Sequence, residues 1–185
     1  MRKVLFLLGQ LTDEDVEWMG RTGRRMRVAP GEVLIHEGRH VPWLYILLAG
    51  RAEVAVSGIG KVATMEVGDV FGDMSFVDAM PPSATVSGEA PSIVLAVDKA
   101  ELARRIGEDP GFGCRFYRAL AVFLSDRLRA ATRRGRTQSV EAEQVRLDGE
   151  EVLDGELDGH VLDGVSQAGA RFDRLLKTLL GADSR

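Results

Sequence analysis

Between Pro30 and Val97, glycines recur wherever an apolar run ends, and this punctuation restricts the fold of the 185-residue chain more than any other feature. Val33-Leu34-Ile35, Leu44 to Leu48, Ala52 to Val56, Val62 to Val67 and Ile93 to Val97 are short, apolar and rich in β-branched residues. Gly31, Gly38, Gly50, Gly58, Gly60, Gly68 and Gly88 separate them, supplying the positive φ and tight corners that turns between strands require. Short strands repeating every ~10 residues read as an antiparallel barrel or jelly roll. One stretch breaks the rhythm. Phe71 to Val86, FGDMSFVDAMPPSATV, holds a polar turn, Gly72-Asp73-Met74-Ser75, then a loop that runs into a strand near Ser83. The glycine-punctuated strands read as a frame that presents this cassette.

Both flanks read as helical. Thr12 followed by Asp13-Glu14-Asp15 offers a capping hydroxyl and negative charge at a helix start. That helix is expected to run through Trp18 and Met19, with Arg21, Arg24 and Arg25 at its C-terminal end. The preceding Val4 to Leu8 is shorter than the ~7 to 15 apolar residues of a signal peptide, so it reads as a core-contacting segment. Beyond Val97 a helix begins at Asp98 and continues through Leu102 and Ile106 to Asp109-Pro110. In the next helix Phe112, Phe116, Leu120, Phe123 and Leu124 share one face. Its end is marked by Arg127, Arg129, Arg133, Arg134 and Arg136, read as a charge-complemented helix terminus. The single cysteine, Cys114, excludes an intrachain disulfide, fits a reducing, cytoplasmic compartment, and is expected to be a small apolar core residue of this helix.

The expected division is a domain over residues 1–135, an acidic flexible linker over 136–160 and an amphipathic helix over 161–185. In the last segment Val161, Val165, Ala168, Phe172, Leu175 and Leu179 step by 4, 3, 4, 3 and 4, a heptad-like apolar seam. It is expected to pack on its own domain or a dimer mate, or to dock a different protein through Val161, Val165, Phe172, Leu175 and Leu179.

Three other chemistries are disfavoured by local pattern. His36-Glu37-Gly38-Arg39-His40 matches HExxH, which needs both histidines on one helical face, yet it follows a β-branched run and contains Gly38 before Pro42. The Leu-Asp-Gly repeats at 147, 153 and 162 lack the alternating oxygen ligands of a calcium loop. A net charge of −4 offers no global attraction for nucleic acid. No metal site, catalytic site or membrane association is expected.

The turn Pro30-Gly31-Glu32-Val33-Leu34-Ile35-His36-Glu37-Gly38, the strand Leu44 to Gly50, the corner Val67-Gly68-Asp69-Val70-Phe71-Gly72 and the cassette through Ala84-Thr85-Val86 together resemble the cyclic nucleotide-binding domain family. The resemblance covers about Leu11 to Thr132. It implies a mainly β fold, an eight-stranded antiparallel jelly-roll barrel with an N-terminal helix and C-terminal helices. It also implies a ligand site at Phe71, Gly72, Asp73, Met74, Ser75, Pro82, Ser83, Ala84 and Thr85. In the family an acidic residue after the glycine accepts a ribose hydroxyl, and Asp73 stands there in place of the usual glutamate. An arginine normally faces the cyclic phosphate, and here the corresponding residue is Pro82, which has neither a guanidinium nor a backbone N–H.

The expected function is a non-enzymatic sensory and signal-transduction module, homodimeric, that signals through its C-terminal helices. It would bind cyclic AMP, cyclic GMP or another anionic, nucleotide-like ligand weakly or not at all, unless Arg51 or Arg118 replaces the missing clamp. An alternative is a ligand-free dimeric scaffold that recruits a protein partner through the last helix. A DNA-binding regulator is the third reading, disfavoured because an acidic stretch and one helix follow the long helix where relatives carry a helix-turn-helix.

Overall fold

Eight strands and six helices make up residues 4–143 and 159–180, the part of the chain described by a computed structural model. Two helices come first, α1 (Val4–Gln10) and α2 (Asp13–Thr22). Then follow β1 (Arg24–Val28), β2 (Val33–Ile35), β3 (Trp43–Ala49), β4 (Ala52–Val56), β5 (Gly60–Met65) and β6 (Val70–Phe71). The short helix α3 (Met74–Val77) leads to β7 (Thr85–Gly88) and β8 (Ser92–Asp98), and the chain ends in α4 (Lys99–Glu108), α5 (Pro110–Glu143) and α6 (Gly159–Leu180).

The strands form two antiparallel four-stranded sheets, ordered β1-β8-β3-β6 and β2-β7-β4-β5. This is the jelly-roll architecture expected, with helices flanking the strands. The sequence of β3 explains how the layers stack. Its residues Leu44 to Leu48 are all buried because alternate side chains leave opposite faces of the sheet. Tyr45 and Leu47 join Phe71, Val86, Val94 and Ala96 in a core between the sheets. Leu44, Ile46 and Leu48 join Leu95 and Val97 beneath a helical layer containing Leu7, Leu8, Met19, Phe112, Phe116, Phe123 and Phe172.

The helices start and stop where local chemistry dictates. Thr12 and Asp15 form a reciprocal capping box at α2, and Asp98 accepts from the N–H groups of Ala100 and Glu101 at α4. Val4 to Leu8 lies in α1, and Leu7 and Leu8 are fully buried.

Three expectations change. Arg24 and Arg25 do not end α2; Gly23 adopts an extended φ of −72° and ψ of 152°, and the arginines pair with Ala96 and Leu95 as β1. Cys114 is exposed rather than a core residue, because two positions beyond Phe112 on a helix is nearly the opposite face. The arginine cluster does not end α5, which continues to Glu143; the first residues of the expected linker are therefore helical, and 144–158 lies outside the described residues. The last segment follows the first of its two readings: α6 lies on α1 and α2, with Ala168, Phe172 and Leu175 buried in the chain's own helical core. The Arg171 guanidinium donates to Asp13 at 2.6 Å and to the Leu8 carbonyl at 3.0 Å, Arg174 donates to Asp13 at 3.1 Å, and Arg25 donates to the Leu179 carbonyl. Of the five residues named for a partner, Phe172 and Leu175 are buried within the chain and Leu179 is half-buried. The side chains of Val161 and Val165 lie outside the described residues.

Candidate functional site

Gly72 fixes the approach of the cassette to the strands. Its φ of 84° lies in the left-handed region, and a Cβ there would come within 2.6 Å of the Trp43 carbonyl oxygen. The chain can therefore turn hard against β3 and start α3 immediately afterwards. The first N–H groups of such a turn have no partner within the helix, which is the basis of an anion cradle. Asp73 occupies the N-cap position with helical dihedrals and makes no side-chain capping bond; its side chain is buried, with 2% of its surface exposed.

A cavity of about 400 Å³ opens between the cassette and the inner faces of the strands. Eight of the nine expected ligand residues line it: Phe71, Gly72, Asp73, Met74, Ser75, Pro82, Ser83 and Ala84. Thr85 does not. Its hydroxyl oxygen accepts from the Glu37 N–H at 3.2 Å instead, and so ties β7 to the turn after β2. The same turn is held from Gly38, whose N–H donates to the Pro82 carbonyl at 2.8 Å. The Glu37 carboxylate accepts from the Ser57 N–H at 2.8 Å, joining a third loop. The HExxH pattern is thus a turn clasp in which Glu37 bonds to β7 and to the turn at Ser57, while His36 and His40 are exposed.

The residue expectation missed the cavity's apolar floor and its far rim. Ile35, Val54, Met65, Val70 and Val86 form the floor, and Asp78 and Met80 stand on the rim. Strand alternation could have found the floor, since inward positions of neighbouring strands share one face. Phe71 stacks on Tyr45 with ring centres 5.2 Å apart, fixing that floor to the sheet β1-β8-β3-β6. The rim is strained: Ala79 is the one non-glycine with positive φ among the described residues, at 57°, and the Met80 N–H donates to the Asp78 carboxylate at 3.0 Å beside it.

Lys99 was also missed, and no local motif announces it. Its ammonium donates to the Ser75 hydroxyl at 2.7 Å, so the first residue of α4 touches the cassette helix. Burial pulls its pKa below the ordinary lysine value, and the negative charges of Asp73 and Asp78 oppose that shift. Neither Arg51 nor Arg118 reaches the cavity; both are exposed, and Arg51 lies beside Glu89. Among the described residues that line the cavity there is no arginine, lysine or histidine.

A family model described as the cyclic nucleotide-binding domain matches residues 25–109. A cAMP-dependent protein kinase regulatory subunit from Yarrowia lipolytica is 35% identical over 81 residues, covering 43% of this chain and 22% of that protein. A cGMP-dependent protein kinase from Eimeria tenella is 31% identical over 78 residues, covering 42% of this chain and 8% of that protein. The match to these curated relatives thus spans less than a quarter of their length. Among solved structures, a cyclic nucleotide-binding domain from Methylobacillus flagellatus KT superposes with a TM-score of 0.62 at 21% identity, covering 81% of this chain and 85% of that one. The N-terminal domain of a transcriptional regulator from Streptomyces coelicolor A3(2) gives 0.57 at 22% identity, covering 81% of this chain and all of that one. At these identities the superpositions speak to the fold.

Proposed function

The chain belongs to the cyclic nucleotide-binding domain family through residues 25–109, and from that premise we propose a non-enzymatic, cytoplasmic regulatory module whose cassette signals through its C-terminal helices. One observation carries the proposal: α3 is joined to both helices that follow the strands. Phe76 meets Phe116 of α5 edge-on at 5.7 Å and stacks beside Tyr117 at 6.3 Å, while Lys99 of α4 holds Ser75. A ligand that moves α3 must disturb these contacts, and it shifts the helices only by as much as it prefers one arrangement over the other. The strained Ala79 on the cavity rim supports a retained ligand site over a turn that merely closes the strands.

Cyclic AMP and cyclic GMP bind this module weakly or not at all, because Pro82 stands where the family has its arginine and no basic side chain lines the cavity among the described residues. A ligand-free dimeric scaffold is the second reading, favoured by Tyr117 and Leu128, which are 48% and 69% exposed and, three turns apart on α5, share one face.

Calorimetry of the full chain tests the weak-binding part: a low-micromolar Kd for either cyclic nucleotide would overturn it. Hydrogen exchange tests the signalling part in a Pro82→Arg variant loaded with cyclic AMP. Loading is expected to change protection in α5 and α6, and Phe76→Ala in that background is expected to remove the change while binding persists. Unaltered protection at saturation would leave the scaffold reading.

A further inference from the structure

One buried carboxylate stands between two guanidinium groups. Asp15 is 1% exposed, and both of its oxygens are engaged. Its Oδ2 accepts from the Thr12 N–H at 2.9 Å and from Arg115 Nε at 2.7 Å, and its Oδ1 accepts from Arg115 Nη2 at 3.0 Å. Arg105 Nη2 stands 4.0 Å from that same Oδ1, near enough for an ion pair and about 1 Å too far for a hydrogen bond. Arg105 is the less satisfied of the two. Its Nε is buried with no hydrogen-bond acceptor among the described residues, and its Nη2 is 3.5 Å from Asp109. The guanidinium lies between the rings of Trp18 and Phe112, 5.2 and 5.3 Å from their centres. Ring faces attract a cation without fixing the direction of its N–H groups. A shift that turned the Arg105 fork toward Asp15 would offset the cost of the buried, unpaired donor.

The two arginines sit on opposite sides of a break. Arg105 is in the last turn of α4 and Arg115 is in α5. Between them Asp109 has extended backbone, with φ −127° and ψ 90°, and Pro110 has no N–H to carry the helix through. A change in the angle between α4 and α5 therefore alters which guanidinium is nearer to Asp15 Oδ1. Each helix is also tied to the cassette, α4 by Lys99 on Ser75 and α5 by Phe116 and Tyr117 on Phe76. We propose that Asp15 is an exchange switch for the α4–α5 angle: its Oδ1 passes from Arg115 to Arg105, so that α2 registers the position of the cassette helix. The exchange rests on the regulatory reading only for its trigger. α2 can pass the change on, because Asp13, two residues before Asp15 and on nearly the opposite side of the helix, holds Arg171 and Arg174 of α6.

Urea denaturation of the full chain carrying Arg105→Gln, Arg115→Gln or both tests the exchange without any ligand. When Asp15 can change partner, Arg105 takes over in Arg115→Gln, and each arginine masks the loss of the other. The unfolding constant of the double variant is then expected to exceed the product of the two single effects by about tenfold. A double effect equal to that product, or smaller, overturns the switch. Where Arg115→Gln fails to fold, Arg115→Lys takes its place in the cycle with the same sign expected, because lysine keeps the charge and loses the fork. The Trp18 indole N–H resonance reads the movement itself. It is expected to shift in Arg115→Gln as Arg105 leaves the ring, and an unmoved resonance overturns the switch. It is expected to shift the same way when the Pro82→Arg variant is saturated with cyclic AMP. These results separate from the regulatory reading. A double effect no larger than the product, with exchange in α5 and α6 still changed on loading, removes the switch alone. A double effect larger than the product, with nothing moved by saturating cyclic AMP, upholds the switch and removes its control by the cassette.

Discussion

Two cavities of nearly equal size differ in how they treat a carboxylate. The groove between α2 and α6 measures about 410 Å³, and one of its two acids, Asp13, receives hydrogen bonds from Arg171 and Arg174. The cassette cavity measures about 400 Å³, and among the described residues its wall carries Asp73 and Asp78 without a basic one. Gly20 and Leu175 face each other across the first, with Leu175 Cδ1 3.7 Å from where a Gly20 Cβ would be. The first is a seam between two parts of one chain, already matched in shape and charge. In the second the neighbouring cation, Lys99, stands outside the wall and donates to Ser75. Volume alone would rank them as equals, and electrostatic matching separates them.

The largest expected effect breaks the seam. Phe172 is fully buried in the helical core, so Phe172→Ala should cost about 3 to 5 kcal/mol in chemical denaturation. A loss below about 1 kcal/mol would mean that α6 is not held on α1 and α2 in solution, and would return its apolar face to the expected protein partner. The cassette gives the next largest effect. Pro82→Arg keeps the carbonyl that accepts from Gly38 and adds the missing cation. Cyclic AMP affinity should rise roughly 30-fold to several-thousand-fold, the equivalent of about 2 to 5 kcal/mol for a buried charged partner. No gain in calorimetry would mean that the wall itself has been reshaped.

The same contrast marks what the sequence could disclose. The strands were legible because glycine corners and β-branched runs are local, and the cassette was legible because its residues are contiguous. Eight of its nine expected residues line the cavity for that reason. β1 was hidden because Arg24-Arg25-Met26-Arg27 is too polar to read as a strand until its pairing with β8 is known. β6, with two residues, offers no periodicity at all. The contacts that join distant parts were also illegible: Lys99 with Ser75, and Arg115 with Asp15 across 100 positions. Lys99 and Arg115 alone read as ordinary surface charges. Cys114 shows the opposite error, where an apolar residue type was taken for a core position although helical phase places it outward.

Asp15 provides a middle-sized test of the helical layer. Burial raises its pKa, but hydrogen bonds from Arg115, at 2.7 and 3.0 Å, and from Thr12 outweigh that and hold the carboxyl below the ordinary 3.8. Because the folded-state pKa lies below the unfolded one, the ionised carboxylate contributes fully above about pH 4 and is lost as pH falls through the folded value. Asp15→Asn should cost about 1.5 to 3 kcal/mol at neutral pH, as loss of a hydrogen-bonded charge. It should also flatten the decline in urea midpoint below about pH 4. An acid limb identical to that of the unaltered chain would place the pH sensitivity elsewhere.

The smallest expected effect sharpens the comparison most, because it asks whether charge matching in the seam matters once Phe172 is buried. Asp13 is half-exposed, and hydrogen bonds first from Arg171 and then from Arg174 hold its carboxyl below the ordinary value. Solvent screens such a pair, so Asp13→Asn should cost only ~0.2 to 1 kcal/mol. Most of that loss should vanish near 1 M salt, where the screening length falls to about 3 Å. Denaturation of the variant and the unaltered chain at low and high salt reads this directly. A loss that salt does not reduce would mean that Asp13 acts through its place in the first turn of α2 and its packing, not as the acid of an ionic seam.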